Sequence, residues 1–250
     1  MMKKKRVVVI LQARMGANRL PGKPLKKVLQ KPLLSYQLER LRRCKKVDEI
    51  VVATTTSTQD GAIETLCAEE KIPCFRGSEH DVLDRYYRTA LKYSADTIVR
   101  ITGDCPVIDP MIVDRVIGYY QNHQPQCDYV SNSLQRTFPR GLDTEVFSFE
   151  LLERAAHEAK HPEEREHVTP YFYKHPELFE LGSVAQEIDQ SDHRWTVDTV
   201  EDLDLITKII TTLYPVNPTF NKDDIIKLLE KHPDWKLINA HIMQKKMYQT

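Results

Sequence analysis

LQARMGANRLPGKPL, residues 11–25, follows directly on the apolar run RVVVIL of residues 6–11. The run is rich in β-branched residues and reads as a strand buried on both faces of a parallel sheet. The loop that leaves it carries Arg14, Arg19 and Lys23 at spacings of five and four, with Gly16, Pro21 and Gly22 supplying bends and close backbone approach. Guanidinium forks bind phosphate oxygens bidentately, while an ammonium acts as a mobile point charge. Together the three cations would offset much of a triphosphate's charge. An ordinary P-loop is excluded, because five residues separate Gly16 from Gly22 and Pro24 stands where a metal-binding hydroxyl is required. The alternative is a basic surface turn with solvated arginines. That suits any one of these cations alone, but the set placed after a buried strand favours phosphate binding.

The chain has 250 residues, enough for one large α/β domain with an inserted subdomain. Lys plus Arg and Asp plus Glu both total 36, so no global field draws it to nucleic acid or to an anionic membrane. The basic run Lys3–Arg6 leads straight into the first strand and lacks the apolar stretch and cleavage site of a signal peptide. No segment approaches the length of a membrane-spanning helix, and a cytoplasmic location is expected. Cys44, Cys67, Cys74, Cys105 and Cys127 form an odd, scattered set without a CxxC pair, which predicts reduced thiols. Cys105 reads as a small buried hydrophobe and not as a nucleophile.

Short apolar runs alternate with amphipathic ones in the first half, the pattern of repeated βα units. Strands are predicted at 50–53, 73–75 and 97–101, and helices near 33–41, 61–70, 81–93 and 112–117. In the third of these helices Val82, Leu83, Tyr86, Tyr87, Ala90 and Leu91 form one stripe, so its paired tyrosines belong to the core. The pattern loosens from Asp128 onward. Extended segments at 129–131, 144–147 and 179–184 and a helix-like stretch at 162–175 point to a substrate-binding or dimerisation insertion around 128–190. Helices at 200–214 and 222–232, separated by Pro215 and Pro218, close a single domain spanning 1–250.

RITGDCPVIDP, residues 100–110, places Asp104 after a strand and a glycine turn. In open α/β sheets ligands gather beyond the carboxyl ends of strands, so Asp104 should face the same crevice as the basic loop. RWTVDTVED, residues 194–202, places Asp198 after a short apolar strand candidate and ahead of a helix. Two carboxylates converging near a triphosphate would bind Mg²⁺, a hard cation that pairs carboxylates with substrate phosphates. Asp198 would serve equally as a helix cap, and Asp109, ahead of Pro110, reads as a cap. Arg140, Asp143 and Glu145 in FPRGLDTEVF form a polar cluster suited either to a sugar's hydroxyls or carboxylate or to ion pairs along a strand edge. Glu166 and His167 would either contact the acceptor or lie on a helix surface.

ARMGANRLPGKPL, VVATTTS, RGSEHDVLDRY, TGDCPVIDP and WTVDTVEDL, in this order, closely resemble the cytidylyltransferases that activate acidic sugars such as 3-deoxy-manno-octulosonate and acylneuraminate. Within them the chain is most similar to the branch named for spore coat polysaccharide biosynthesis protein F. The resemblance covers residues 6–214. It implies a nucleotide-diphospho-sugar transferase-like, Rossmann-like fold, a mostly parallel sheet flanked by helices. It also implies CTP as donor, Mg²⁺ as cofactor and a homodimer. Carried over by position, Arg14, Gly16, Arg19 and Lys23 would hold the nucleotide, Asp104 and Asp198 the metal, and Arg14, Lys23, Asp104 and Asp198 would form the catalytic set. The implied reaction moves CMP from CTP to a sugar, releasing pyrophosphate, for surface glycan synthesis. Two departures leave the acceptor open. Gln30 replaces a glycine before Lys-Pro, and TGDCP replaces a QGDEP-like sequence. A nucleotide-sugar-dependent glycosyltransferase and a noncatalytic nucleotide-binding homologue are the competing readings; the triphosphate-suited loop argues against the first, the full set of cations and aspartates against the second.

Overall fold

The computed structural model describes residues 4–243, so Lys3 of the basic run lies outside the described residues. Strand β1 (Val7–Gln12) has β-branched side chains on both faces, and its neighbours partition cleanly. Val7, Val9 and Leu11 pack into one apolar cluster, Val8 and Ile10 into a second on the opposite face. Each such fully buried side chain contributes about 1.5–3 kcal/mol relative to exposure, which explains why a continuous apolar run becomes a central strand.

A hairpin of β2 (Lys27–Val28) and β3 (Lys31–Pro32) leads to α1 (Leu33–Leu41). The βα units continue through β4 (Glu49–Thr55), α2 (Gly61–Glu69), β5 (Cys74–Gly77), α3 (Val82–Lys92), β6 (Thr97–Thr102) and α4 (Pro110–Asn122). The chain then runs through β7 (Tyr129–Ser131), β8 (Glu145–Ser148), α5 (Phe149–Glu158), α6 (Pro162–His167), α7 (Pro170–Tyr173) and β9 (Leu181–Ser183). It closes with α8 (Val200–Leu213), α9 (Lys222–Lys231) and α10 (Pro233–Lys236). The seven-stranded sheet has the order β5-β4-β1-β6-β8-β7-β9. Strands β5, β4, β1 and β6 are mutually parallel, β8 runs antiparallel to β6 and β7, and β9 pairs parallel with β7. Helices α1, α2, α4, α8 and α9 bury their apolar stripes on the first face, and α3, α5 and α7 on the second. No helix among the described residues is long and apolar enough to cross a membrane.

The segment 128–190 contributes β7, β8 and β9 to this same sheet. Its strands have only three or four residues, too few for a clear period-two signal, and long-range pairing fixes them. The helix-like stretch 162–175 is two short helices with a sharp turn between them. Trp195–Val197 is buried but forms no strand; a single bridge links Arg194 to Arg140. Tyr86 is fully buried and Tyr87 stacks on Phe149, whereas Leu91, expected on the buried stripe, is 56% exposed. Asp109 caps α4 through Met111 N–H at 2.9 Å and also accepts Lys222 N–H at 2.8 Å, joining the starts of α4 and α9.

The turn between β2 and β3 holds Leu29 at φ 47° and Gln30 at φ 63°. Two consecutive positive-φ residues in a two-residue hairpin form the type I′ turn, which favours Asn and Gly. Gln30 therefore stores backbone strain in this turn. Replacing it, Gln30→Gly, is expected to raise stability by about 1 kcal/mol, read as a higher urea midpoint; an unchanged or lower midpoint contradicts the strain.

Candidate active site

The loop after β1 is tied down before it reaches the cavity. Ala13 N–H donates to Ala53 C=O, and Met15 N–H donates at 2.7 Å to Asp60, a carboxylate only 1% exposed that also takes the Thr55 hydroxyl. Gly22 adopts φ 70° and closes the loop by donating to Met15 C=O at 2.9 Å. A 3-10 turn at Lys23–Leu25 then aims Lys23 inward.

Asp104 stands beyond β6. Gly103 N–H donates to Gln12 C=O at 2.7 Å, and a Cβ on Gly103 would lie 2.7 Å from that oxygen. Only glycine lets the ends of β1 and β6 approach this closely. Asp104 C=O accepts Val197 N–H at 2.8 Å, which brings in the chain just ahead of α8. The carboxylates of Asp104 and Asp198 consequently converge on one point. Lys23 Nζ lies 3.0 Å from Asp104 Oδ2 and 2.9 Å from Asp198 Oδ1. Arg19 reaches Asp198 Oδ2 at 2.8 Å.

Burial pushes the Asp104 carboxyl up, but Lys23 and the Thr102 hydroxyl outweigh it and hold the group down to about 2. Burial works against the Lys23 charge, yet the two aspartates raise its pKa above the ordinary value. Lys23 and Asp104 are therefore both charged at neutral pH. Burial, with Asp104 adjacent, raises the Cys105 thiol well above its usual range, which removes it as a nucleophile.

Asp198 does not cap α8. Thr199 does, in a reciprocal box with Asp202. Asp202 is fully buried, pairs with Arg194 at 2.9 and 3.0 Å, takes Asn239 Nδ2 at 2.8 Å and accepts the N–H groups of Asp198 and Thr199. Arg194 also reaches Asp198 Oδ2 at 2.9 Å. The side chain and backbone of Asp198 are thus fixed from behind by two residues that the sequence reading gave no role. The T-x-x-D spacing of Thr199 and Asp202 was the available signal.

One cavity of about 1110 Å³ collects Arg14, Arg19, Lys23, Asp104, Asp198, Arg140, Asp143 and Glu145. Gly16 is not among the residues lining this cavity; a Cβ there would meet Gln59 Nε2 at 3.1 Å. Arg14 makes no ion pair among the described residues. Asp143 is paired with Arg136 at 2.6 Å, and Glu145 with the largely buried Arg100 and with the Tyr129 hydroxyl at 2.5 Å. Arg140 forms no ion pair among the described residues; burial and the nearby Arg136 lower its pKa. Asp143 and Glu145 are therefore ion-paired, as one reading of this cluster expects, and they also line the cavity. Glu166 and His167 also line it, so α6 walls the site.

A sequence profile described as cytidylyltransferase matches residues 8–239. An uncharacterized protein of Methanocaldococcus jannaschii, MJ1063, is 39% identical over 242 residues, 96% of this chain and 97% of that one. The spore coat polysaccharide biosynthesis protein SpsF of Bacillus subtilis is 32% identical over 235 residues, 91% and 95% of the two chains. A solved structure of a cytidylyltransferase from Leptospira borgpetersenii superposes with a TM-score of 0.88 at 35% identity, covering 98% of this chain and all of that one. The chain belongs to the cytidylyltransferase family, nucleotidyltransferases that use CTP.

Removing Asp202 leaves Arg194 buried without its main partner, so Asp202→Ala is expected to cost about 3–5 kcal/mol by denaturant unfolding. Burial raises the Asp202 carboxyl, but Arg194 and Asn239 hold it below the ordinary value. Its stabilisation is then complete above the unfolded pKa of about 3.9 and is lost as pH falls through the folded value. A variant as stable as wild type at pH 7 contradicts the clamp.

Proposed function

We propose that this protein transfers CMP from CTP to a sugar, an acidic one by its resemblance, and releases pyrophosphate with the help of Mg²⁺. The observation that carries the reading is the convergence of Asp104 and Asp198 on one cation beside a loop with further unspent positive charge. Arg14 is available to phosphate oxygens directly. Arg19 and Lys23 have carboxylate partners that a polyphosphate would compete with, and both donors sit on a loop whose backbone is anchored at Ala13, Met15 and Gly22.

The two aspartates fit a divalent metal. They offer hard oxygen donors a few ångströms apart, already gathered around positive charge, and the remaining ligands would come from phosphates and water. Asp104 and Asp198 would hold the ion, which supplies fixed positive charge against the phosphate oxygens. The residues of the chain do the rest. Arg14, Arg19 and Lys23 orient the triphosphate and stabilise charge on the leaving group. The acceptor oxygen forms a bond to the α-phosphorus as the bond to the bridging oxygen breaks. The hydroxyl proton departs to a base and pyrophosphate leaves, with no covalent enzyme intermediate.

The name of the Bacillus relative supports a role in polysaccharide biosynthesis, and the family resemblance supports a cytoplasmic homodimer. Purified protein given Mg²⁺, each of the four ribonucleoside triphosphates and a panel of acidic sugars and sugar phosphates is expected to release pyrophosphate with CTP alone and to yield a CMP-sugar by mass. Product from another nucleotide, or consumption of a nucleotide sugar instead, contradicts the reading. Asp104→Asn and Asp198→Asn should each lower turnover about 10²–10³-fold with the fold retained by circular dichroism; near-normal turnover in folded variants sinks the metal assignment.

A further inference from the structure

The end of α2 and the start of β5 bring two cysteines together. Helix α2 stops at a Schellman turn, in which Ile72 N–H donates to Cys67 C=O at 2.8 Å and Lys71 N–H to Ala68 C=O at 3.1 Å, with Lys71 at φ 55°. This turn reverses the chain within a few residues. Cys74 then opens β5, in register with Val52 of β4, and Val52 N–H donates to Pro73 C=O at 2.9 Å. Backbone hydrogen bonds therefore hold both cysteines, one on each side of the turn. Their side chains meet in the first apolar cluster, where the Cys67 thiol donates a hydrogen bond to the Cys74 sulfur. Both thiols are free.

The two differ in access and in charge. Cys67 is fully buried, whereas Cys74 is partly exposed on the outermost strand of the sheet. The hydrogen bond from Cys67 lowers the Cys74 pKa against burial and Glu64, and Arg76 and Lys92 act in the same direction as the bond. That bond, burial and the carboxylates of Glu64 and Glu70 raise the Cys67 thiol. The two basic groups are anchored beside Cys74: Arg76 donates to Ser57 C=O at 2.7 Å, and Lys92 Nζ lies 5.7 Å from the centre of the Phe75 ring. Burial raises the remaining thiols, Cys44 to about 12, with Cys105 enclosed against Asp104. The thiolate is the reactive form in thiol oxidation, so access and charge both single out Cys74.

We propose that Cys74 is the peroxide-sensitive thiol of this chain and Cys67 its resolving partner, a pair that closes reversibly into a disulfide between α2 and β5. The Cys74 thiolate attacks one oxygen of hydrogen peroxide, the O–O bond breaks and hydroxide leaves, giving a sulfenic acid. The Cys67 sulfur then attacks the Cys74 sulfur. The S–O bond breaks, and the Cys67 proton departs with the hydroxyl as water. The two sulfurs together lose two electrons, which the peroxide gains, and an external thiol reverses the link by exchange. Helix α2 follows directly on Asp60, the carboxylate that anchors the cavity loop at Met15. The disulfide ties the far end of that same helix to the sheet edge, while Cys105, beside Asp104, stays reduced. Two cysteines serving only as small apolar side chains have no such order of reactivity.

Peptide mass spectrometry tests this on the fully reduced wild-type protein, treated with hydrogen peroxide and then unfolded in an alkylating buffer. The expected result is one dominant product, a Cys67–Cys74 link lighter by two hydrogens, with two titratable thiols lost and regained on adding dithiothreitol. Preferential oxidation of Cys44, Cys105 or Cys127 overturns the inference. So does an oxidised Cys74 that never links to Cys67, or retention of every thiol under conditions that consume free cysteine. Variants test the order of the two steps. In Cys67→Ala and in Cys67→Ser, peroxide with dimedone should label Cys74 and form no link, and in Cys74→Ser the remaining Cys67 should stay unmodified. Labelling of Cys67 in Cys74→Ser, with Cys74 unlabelled in the other two variants, contradicts the assignment.

Discussion

Two carboxylates held within hydrogen-bonding distance of one ammonium group are the constraint around which this molecule is arranged. Asp104 and Asp198 are far apart in sequence, and each sits where the sheet's carboxyl edge meets a helix start. Like charges brought this close repel, and they stay together because positive charge is built in beside them: Lys23 between them, Arg19 and Arg194 on the outer oxygen of Asp198. Lys23 and Arg194 are held by two different supporting devices. Gly22 and the 3-10 turn aim Lys23, and Asp202 fixes Arg194 from a fully buried position. The same density of positive charge that holds the aspartates suits a polyphosphate, so structural and functional demands coincide here.

The cavity has two kinds of wall. On the side of the first sheet face, charge is concentrated and already paired around the converging aspartates. On the other, Glu145 is held by Arg100, and Arg100 Nε and Gln12 Oε1 are buried without partners. Under the proposed transfer, a polyphosphate would meet the fixed compensating charge and a hydroxylated acceptor would meet directional hydrogen bonds. Burial of Arg100 and Glu145 as an intact pair supplies polarity without leaving a lone buried charge, which would be far more costly than the pair.

Much of this was legible in the sequence, for identifiable reasons. The continuous apolar run before Gln12 announced a strand buried on both faces, and the cations of the following loop, placed by glycine and proline, line the cavity. Asp104 was found because a strand and a glycine turn precede it. Asp198 was ambiguous between cap and ligand, and the reciprocal box of Thr199 and Asp202 removes the cap reading by taking that role. Strands β7 and β9 were seen as extended segments, but their membership in the main sheet was not visible, since three residues carry too little pattern. The turn between α6 and α7, with Val168 at φ 70°, was illegible for a deeper reason. Local preference argues against it, and only the tertiary packing of Val168 makes it possible. Arg194, Asp202 and Asp60 escaped because their roles are defined by partners elsewhere in the chain.

The central claim is that Asp104 and Asp198 form the metal-dependent floor of a CTP site, and calorimetric titration of CTP with and without Mg²⁺ tests it most directly. The account predicts that CTP binding strengthens markedly when Mg²⁺ is present and that this dependence disappears in Asp104→Asn. CTP binding of equal strength with and without Mg²⁺ in the wild-type protein would contradict it.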